Sequence, residues 1–261
     1  MDGADLDALR RAKAILENPG LAIRIADRVG APIDALVQRL PSTAQTAIAT
    51  GTKKALSKSL DYALRTLDPA DRAAPSNWLH RGAVVASGAA GGALGLPGLV
   101  LELPFSLTMM LRSIADHARA QGEDLSQIAS RLECLTVFAY GSPSPGDDAA
   151  DSAYFAARAV LARSVSQAAE FVAGRGIAGT VGEKSAPALA QLIARVAQRL
   201  GVAVTDKAAA QLVPIAGAAG GAAINALFMN HYQDVAWAHF TVRRLERAHG
   251  LDAVRLAYER A

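Results

Sequence analysis

Apolar side chains recur along most of this chain at the three- and four-residue spacing of an α-helix. Stretches in which apolar and polar residues alternate, as in a half-buried strand, are nearly absent. Alanine, the strongest intrinsic helix former, is abundant throughout. The pattern therefore predicts an all-α protein, a multi-helix bundle built around two glycine- and alanine-rich helical segments.

Proline, glycine and cap residues divide the chain into its predicted helices. Asn18-Pro19-Gly20 ends an amphipathic helix over 5–17, and Gly30-Ala31-Pro32 separates the next two. Ser42 or Thr43 begins a longer helix. The predicted elements are 5–17, 21–29, 33–40, 42–67, a hairpin in 82–120, 123–140, 153–174, 186–200 and a last helix that ends at His249 before Gly250.

The two apolar segments are residues 82–111 and 208–230. The first is long enough to cross a bilayer, and its only charged side chain is Glu102. Glycine and alanine contribute little to membrane insertion compared with leucine or phenylalanine. Three environments therefore stay open for these segments: a spanning or re-entrant hairpin, peripheral association with a membrane, and a wholly soluble bundle.

Two proline positions interrupt the first apolar segment. Pro97-Gly98 and Pro104 are expected to disturb a continuous helix, because proline lacks the backbone donor. We therefore expect a helical hairpin that breaks near Leu96 and restarts at about Leu103. The second helix should end at Gln121-Gly122.

The sequence GAAGGA occurs once in each apolar segment. Glycines four residues apart let two helix backbones approach closely, whether in a bilayer or in a soluble bundle. The candidate helix-packing residues are Gly88, Gly92, Gly217 and Gly221. The repeat predicts contact between the two segments, and a chance repeat in alanine-rich sequence is the alternative.

The proline-rich stretch 142–148 is the clearest linker in the chain. We interpret the whole chain as one helical domain rather than two. Its parts are N-terminal helices in 1–75, a first glycine-rich half in 80–141, a linker in 142–151 and a second half in 152–261.

Charge and cysteine content limit the classes of ligand and the cellular compartment that the sequence predicts. The formal net charge is only +3, and the basic residues are scattered, so no nucleic-acid stripe is predicted. The single cysteine, Cys134, excludes an internal disulfide and a thiolate metal cluster. Acidic residues stand where a secretory signal needs bases. We expect a protein of the cytoplasm, peripheral to the cytoplasmic membrane.

Glu102 is the first candidate for chemistry, because a carboxylate in an apolar run is costly unless it is paired, protonated or hydrated. One interpretation is that Glu102 caps a helix and that Arg112 pairs with Asp116. The other is that Glu102 lines a polar pocket. On the last helix, His231 and Asp234 share a face, but no third metal ligand follows at a defined spacing.

No complete catalytic, metal or nucleotide signature is present, so no enzyme activity, metal or cofactor is predicted. The serines of the apolar segments lack a nucleophile-elbow context. The candidate ligand-binding residues are Glu102, Arg112, Asp116, His231 and Asp234.

Two stretches resemble the EcsC family: GAAGGALGLPGLVLELPFSLTMMLRSIADHARAQGED (88–124) and VPIAGAAGGAAINALFMNHYQDVAWAHFTVRRLERAHG (213–250). Glu102 stands where an aspartate is expected in such sequences, which preserves the carboxylate, and Gln121 where an aromatic residue is common. The family takes its name from a gene beside a bacterial ABC transporter linked to protein secretion. Its molecular role is not established.

The resemblance implies a bacterial accessory protein that binds a membrane, a lipid or a membrane-protein partner such as a transporter. The apolar hairpin and the basic last helix, with Arg243, Arg244 and Arg247, would make that contact. The alternative is a helical enzyme or small-ligand-binding protein with a pocket around Glu102, Arg112, Asp116 and His231. A homo-oligomeric bundle with small-residue seams is a third hypothesis.

Overall fold

A computed structural model describes residues 1–17, 20–66, 77–93, 95–140, 153–175, 187–210 and 217–261. Within these ranges the protein contains eleven helices and no strand, which confirms the all-α class. The helices are α1 (Gly3–Glu17), α2 (Leu21–Val29), α3 (Ile33–Val37), α4 (Ser42–Thr66), α5 (Asn77–Ala93), α6 (Gly95–Ala120), α7 (Ile128–Tyr140), α8 (Ala153–Arg175), α9 (Pro187–Ala210), α10 (Gly217–His249) and α11 (Leu251–Arg260).

Helix ends that are set by a neighbouring glycine lie close to the predicted positions. The bounds of α2 are confirmed, with Gly30 in the left-handed conformation at its C-terminus. Helix α6 ends one residue before Gln121, and Gly122 has a φ of 82°. The predicted start at Glu123 is wrong, because the Asp124 carboxylate accepts a hydrogen bond from the Ser126 backbone in a turn that precedes α7. The predicted linker over 142–151 lies outside the described residues.

The two helices of the predicted hairpin meet close to Leu96, as expected, but the predicted restart at about Leu103 is wrong. Helix α5 ends at Ala93, and α6 begins at Gly95 and continues through Pro104. Pro97 does not interrupt α6, because it lies in the first turn, where backbone N–H groups have no acceptor within the helix. At Pro104 one hydrogen bond is lost, but the neighbouring Leu103 and Leu107 are buried in the core and hold the helix in place.

Helix α10 is the longest of the described helices and packs against α5, α6, α1 and α7. Its apolar side chains form part of the same buried core as those of α6 and α9. Because α10 contacts helices from the N-terminal, middle and C-terminal parts of the chain, residues far apart in sequence meet along it.

The basic end of α10 is engaged within the protein. Glu123 accepts hydrogen bonds from the Arg243 guanidinium at 2.8 and 3.0 Å, and Arg247 also pairs with it. These two cations hold the pKa of Glu123 below its usual value, against the opposing effect of its burial. Arg244 lies 3.5 Å from the Asp5 carboxylate. Most of the charge that the sequence suggests for a partner is therefore neutralised internally.

Asp206 on α9 carries a carboxylate whose ionised form is destabilised in the folded protein. Partial burial, together with the negative charge of Asp34, raises the pKa of Asp206 to about 6. The destabilisation of the folded state is therefore complete above pH 6 and fades as the pH falls from 6 toward the unfolded-chain pKa of 3.8.

We expect Asp206→Asn to stabilise the protein by on the order of 1–2 kcal/mol at pH 8, an amount already reduced for the partial exposure of the side chain. Thermal unfolding at pH 8, 6 and 4 should show the gain shrinking as the pH falls. Asp61→Asn on α4 serves as the comparison, because it removes one carboxylate from another long helix. An equal gain at pH 4 and pH 8 would contradict the assignment.

Candidate functional site

A buried polar cluster joins α5, α6, α9 and α10, and the Glu102 carboxylate lies at its centre. Lys207 Nζ donates a hydrogen bond to Glu102 Oε2 at 2.9 Å, and the two side chains are only 2% and 5% exposed. Asn225 Nδ2 donates to Glu102 Oε1 at 2.6 Å and is itself fully buried. The sequence indicated the buried carboxylate, and the structure identifies its partners on α9 and α10.

Two hydroxyl groups complete the environment of Glu102. Ser106, one turn further along α6, donates to Oε1, and Ser87 of α5 donates to the same oxygen at 3.3 Å. The Ser87 hydroxyl is also 2.9 Å from the Val84 carbonyl. Four side chains thus donate to one carboxylate, which is the degree of hydrogen bonding that a buried anion requires.

The cation of the cluster lies in apolar surroundings. Desolvation lowers the pKa of Lys207, and the negative charge of Glu102 opposes that effect. The Phe228 ring centre lies 5.5 Å from Lys207 Nζ. Asn225 Oδ1 is buried and accepts no hydrogen bond within the described part of the chain. The cluster is consequently a closed, charge-neutral contact with one unused acceptor.

Glycines make the close approach around the cluster sterically feasible. A Cβ atom on Gly88 would lie 2.4 Å from Asn225 Nδ2 and 2.6 Å from the Gly221 carbonyl oxygen. A Cβ atom on Gly91 would lie 3.2 Å from Glu102 Cβ. The structure thus places Gly88 of the first GAAGGA copy against Gly221 of the second, with Gly92 and Gly217 on the same two helices.

The other candidate ligand residues do not join Glu102. Asp116 lies fourteen residues further along α6, about 21 Å at the rise of an α-helix, and bonds Arg119. Arg112 is on the same helix between them. The Arg24 guanidinium lies 2.9 Å from His231 Nδ1, while Asp234 is exposed. Glu102 and Asp116 are therefore too far apart to share a small ligand.

Glu102 is not a helix cap either, because α6 begins seven residues earlier, at Gly95. In the described ranges no group of three or more histidine, cysteine or acidic side chains is arranged to hold a metal ion. The residues that sequence reasoning missed are Lys207, Asn225, Ser87 and Ser106. The only signals for these partners in the sequence were a lysine just before the apolar segment 208–230 and an asparagine within it.

The outer side of the same α6 turn is apolar and exposed. Leu101 is 76% exposed and Phe105 is 48% exposed, and they lie one helical turn apart. Residues Pro97–Ala120 form the one described stretch that is long and apolar enough to cross a membrane, although most of it is buried inside the protein. Such a helix also occurs in the cores of soluble proteins, so length and composition alone do not assign it to a bilayer.

Comparison with known proteins shows that the model of the EcsC protein family matches residues 18–245. No curated protein and no solved structure matches the chain. The matched range includes α2 to α9 and nearly all of α10, and therefore every member of the buried cluster. The chain belongs to the EcsC protein family.

Proposed function

We propose that this protein is a membrane-associated accessory protein that binds the surface of the cytoplasmic membrane through the exposed turn of α6. The observation that carries the proposal is the pair Leu101 and Phe105, two bulky apolar side chains left in solvent on adjacent turns. Single exposed apolar residues are common on soluble proteins, whereas adjacent ones on a glycine-rich hairpin are suited to insertion among lipid headgroups.

The expected binding is weak and reversible. Burying two such side chains contributes on the order of 2–4 kcal/mol, after allowance for the fraction of each already covered by protein. A contribution of that size corresponds to dissociation constants of about 1–30 mM, so a second source of attraction or a membrane-bound partner would be needed for a stable complex.

Surface binding is favoured over crossing. The side of α6 opposite Leu101 carries Leu103 and Leu107 in the core, and its inner side carries Glu102 in the polar cluster. A crossing helix would have to abandon those contacts and bring the carboxylate into hydrocarbon, which costs several kcal/mol.

Cosedimentation with lipid vesicles tests the proposal. We expect the purified protein to bind vesicles and Leu101→Ser/Phe105→Ser to reduce the partition coefficient at least tenfold, because both apolar anchors are lost. The matched control is Leu251→Ser/Leu256→Ser on α11, whose side chains are 65% and 49% exposed. It removes the same kind of surface at the far end of α10 and should leave binding unchanged.

Absence of wild-type binding to any vesicle would refute the proposal. Equal losses of vesicle binding in the two double variants would show that binding depends on surface hydrophobicity in general and not on the exposed turn of α6. Binding only to vesicles that contain membrane proteins would instead assign the turn to a protein partner.

A further inference from the structure

Helices α4 and α6 lie side by side and run in the same direction. A Cβ atom on Gly51 would lie 3.4 Å from Val100 Cγ1. Two turns later, Ser59 Oγ donates to the Pro104 carbonyl at 3.3 Å and accepts from Thr108 Oγ1 at 3.1 Å. The facing positions are therefore Gly51, Ala55 and Ser59 on α4 and Val100, Pro104 and Thr108 on α6.

Helical geometry fixes which residues share a side of this pair. Each residue advances by about 100° around the axis of a right-handed α-helix. From the facing positions, Lys54 and Lys58 on α4 and Leu101 and Phe105 on α6 turn to the same side. The observed burial agrees, since the opposite side carries the buried residues Leu56, Leu60, Leu103 and Leu107. We call Lys54, Lys58, Leu101 and Phe105 the α4–α6 face.

The two lysines of the α4–α6 face are exposed, and neither has an ion-pair partner in the described part of the chain. The arginines at the end of α10 differ, because Arg243 and Arg247 are paired with Glu123. The positive charge available to a partner on this side of the protein therefore lies on α4, beside the exposed apolar pair.

We propose that the α4–α6 face selects anionic phospholipids, with Leu101 and Phe105 entering the headgroup region and Lys54 and Lys58 contacting lipid phosphates. This inference rests on the proposed function and adds the class of lipid. Lysines one turn apart present two ammonium groups at the level of the phosphates when the neighbouring apolar side chains are inserted. A neutral surface offers the apolar pair the same gain but gives the lysines no net attraction.

Vesicles of phosphatidylcholine alone, and of phosphatidylcholine with 30% phosphatidylglycerol, separate the two contributions. At low salt the wild type should prefer the anionic vesicles by about 30-fold, the effect expected for two lysines near a charged surface. Raising the salt to 0.5 M should remove most of that preference. Lys54→Gln/Lys58→Gln should lose the preference and keep the affinity for neutral vesicles.

The charge-matched control is Arg163→Gln/Arg260→Gln, which removes two exposed cations from α8 and α11. It should retain the anionic preference. A wild type that binds both kinds of vesicle equally, or a control that loses as much preference as the lysine variant, would overturn the inference and leave the apolar contact standing. Absence of binding to either vesicle would instead refute the proposed function itself.

Discussion

Lys207→Met is expected to destabilise the protein by about 3–5 kcal/mol, the typical cost of leaving one partner of a buried ion pair uncompensated. Glu102 would keep its bonds to Asn225 and the two serines but lose its counter-charge in a site that is closed to water. Chemical unfolding in urea, followed by circular dichroism, should show a lower midpoint with an unchanged slope.

The double variant Lys207→Met/Glu102→Gln should recover much of this loss. Both charges are then absent, and the glutamine oxygen still accepts hydrogen bonds from Asn225 and Ser106. We expect a coupling energy of at least about 1.5 kcal/mol between the two positions. Strictly additive effects would mean that Lys207 and Glu102 do not interact in the folded protein.

Gly88→Ala is the second substitution with a large expected effect. The new methyl group would overlap the Asn225 amide and the Gly221 carbonyl oxygen, and the backbone of α10 has no room to withdraw without separating the two helices. We expect a loss of about 2–4 kcal/mol, in the range of severe overpacking in a core.

Gly82→Ala on the same helix is the matched control. Gly82 is exposed, and a Cβ atom there would meet nothing within 4 Å. Alanine should therefore stabilise α5 by about 0.5–1 kcal/mol through its higher helix propensity. Thermal unfolding of both variants measures the difference, and opposite signs are expected. Equal effects would show that the contact between α5 and α10 does not depend on Gly88.

Local signals predicted most helix ends, because the residues that end a helix are its neighbours in sequence. Gly30 and Gly122 adopt positive φ angles at the ends of their helices, as the punctuation suggested. Pro104 does not break the helix, because its cost is offset by core packing around it, which involves residues of other helices. The start of α6 therefore needed tertiary information.

The partners of Glu102 were not predictable from spacing. Lys207 and Asn225 are 105 and 123 residues away along the chain. The sequence showed a carboxylate that needed a partner, and physical chemistry showed why, but only the packing of α9 and α10 against α6 identifies which side chains meet it. The repeated GAAGGA motif did indicate the segments that come together.

One turn of α6 connects the two features of the proposed function. Its inner side holds Glu102 and Ser106 in the buried cluster, and its outer side presents Leu101 and Phe105. The cluster fixes the rotation of α6 about its axis, because a different rotation would expose the carboxylate or bury the apolar pair. A rigid, oriented turn loses little conformational entropy when it enters a membrane surface.

The depth of this turn in a bilayer tests the account most directly. Cys134, the only cysteine in the chain, is buried, so Leu101→Cys and Leu256→Cys each provide one accessible labelling site for an environment-sensitive fluorophore. On addition of anionic vesicles, the emission of the label at position 101 should shift to shorter wavelength and that at position 256 should not. If the emission spectrum of the label at position 101 does not change when vesicles are added, under conditions in which the protein cosediments with lipid, the account is contradicted.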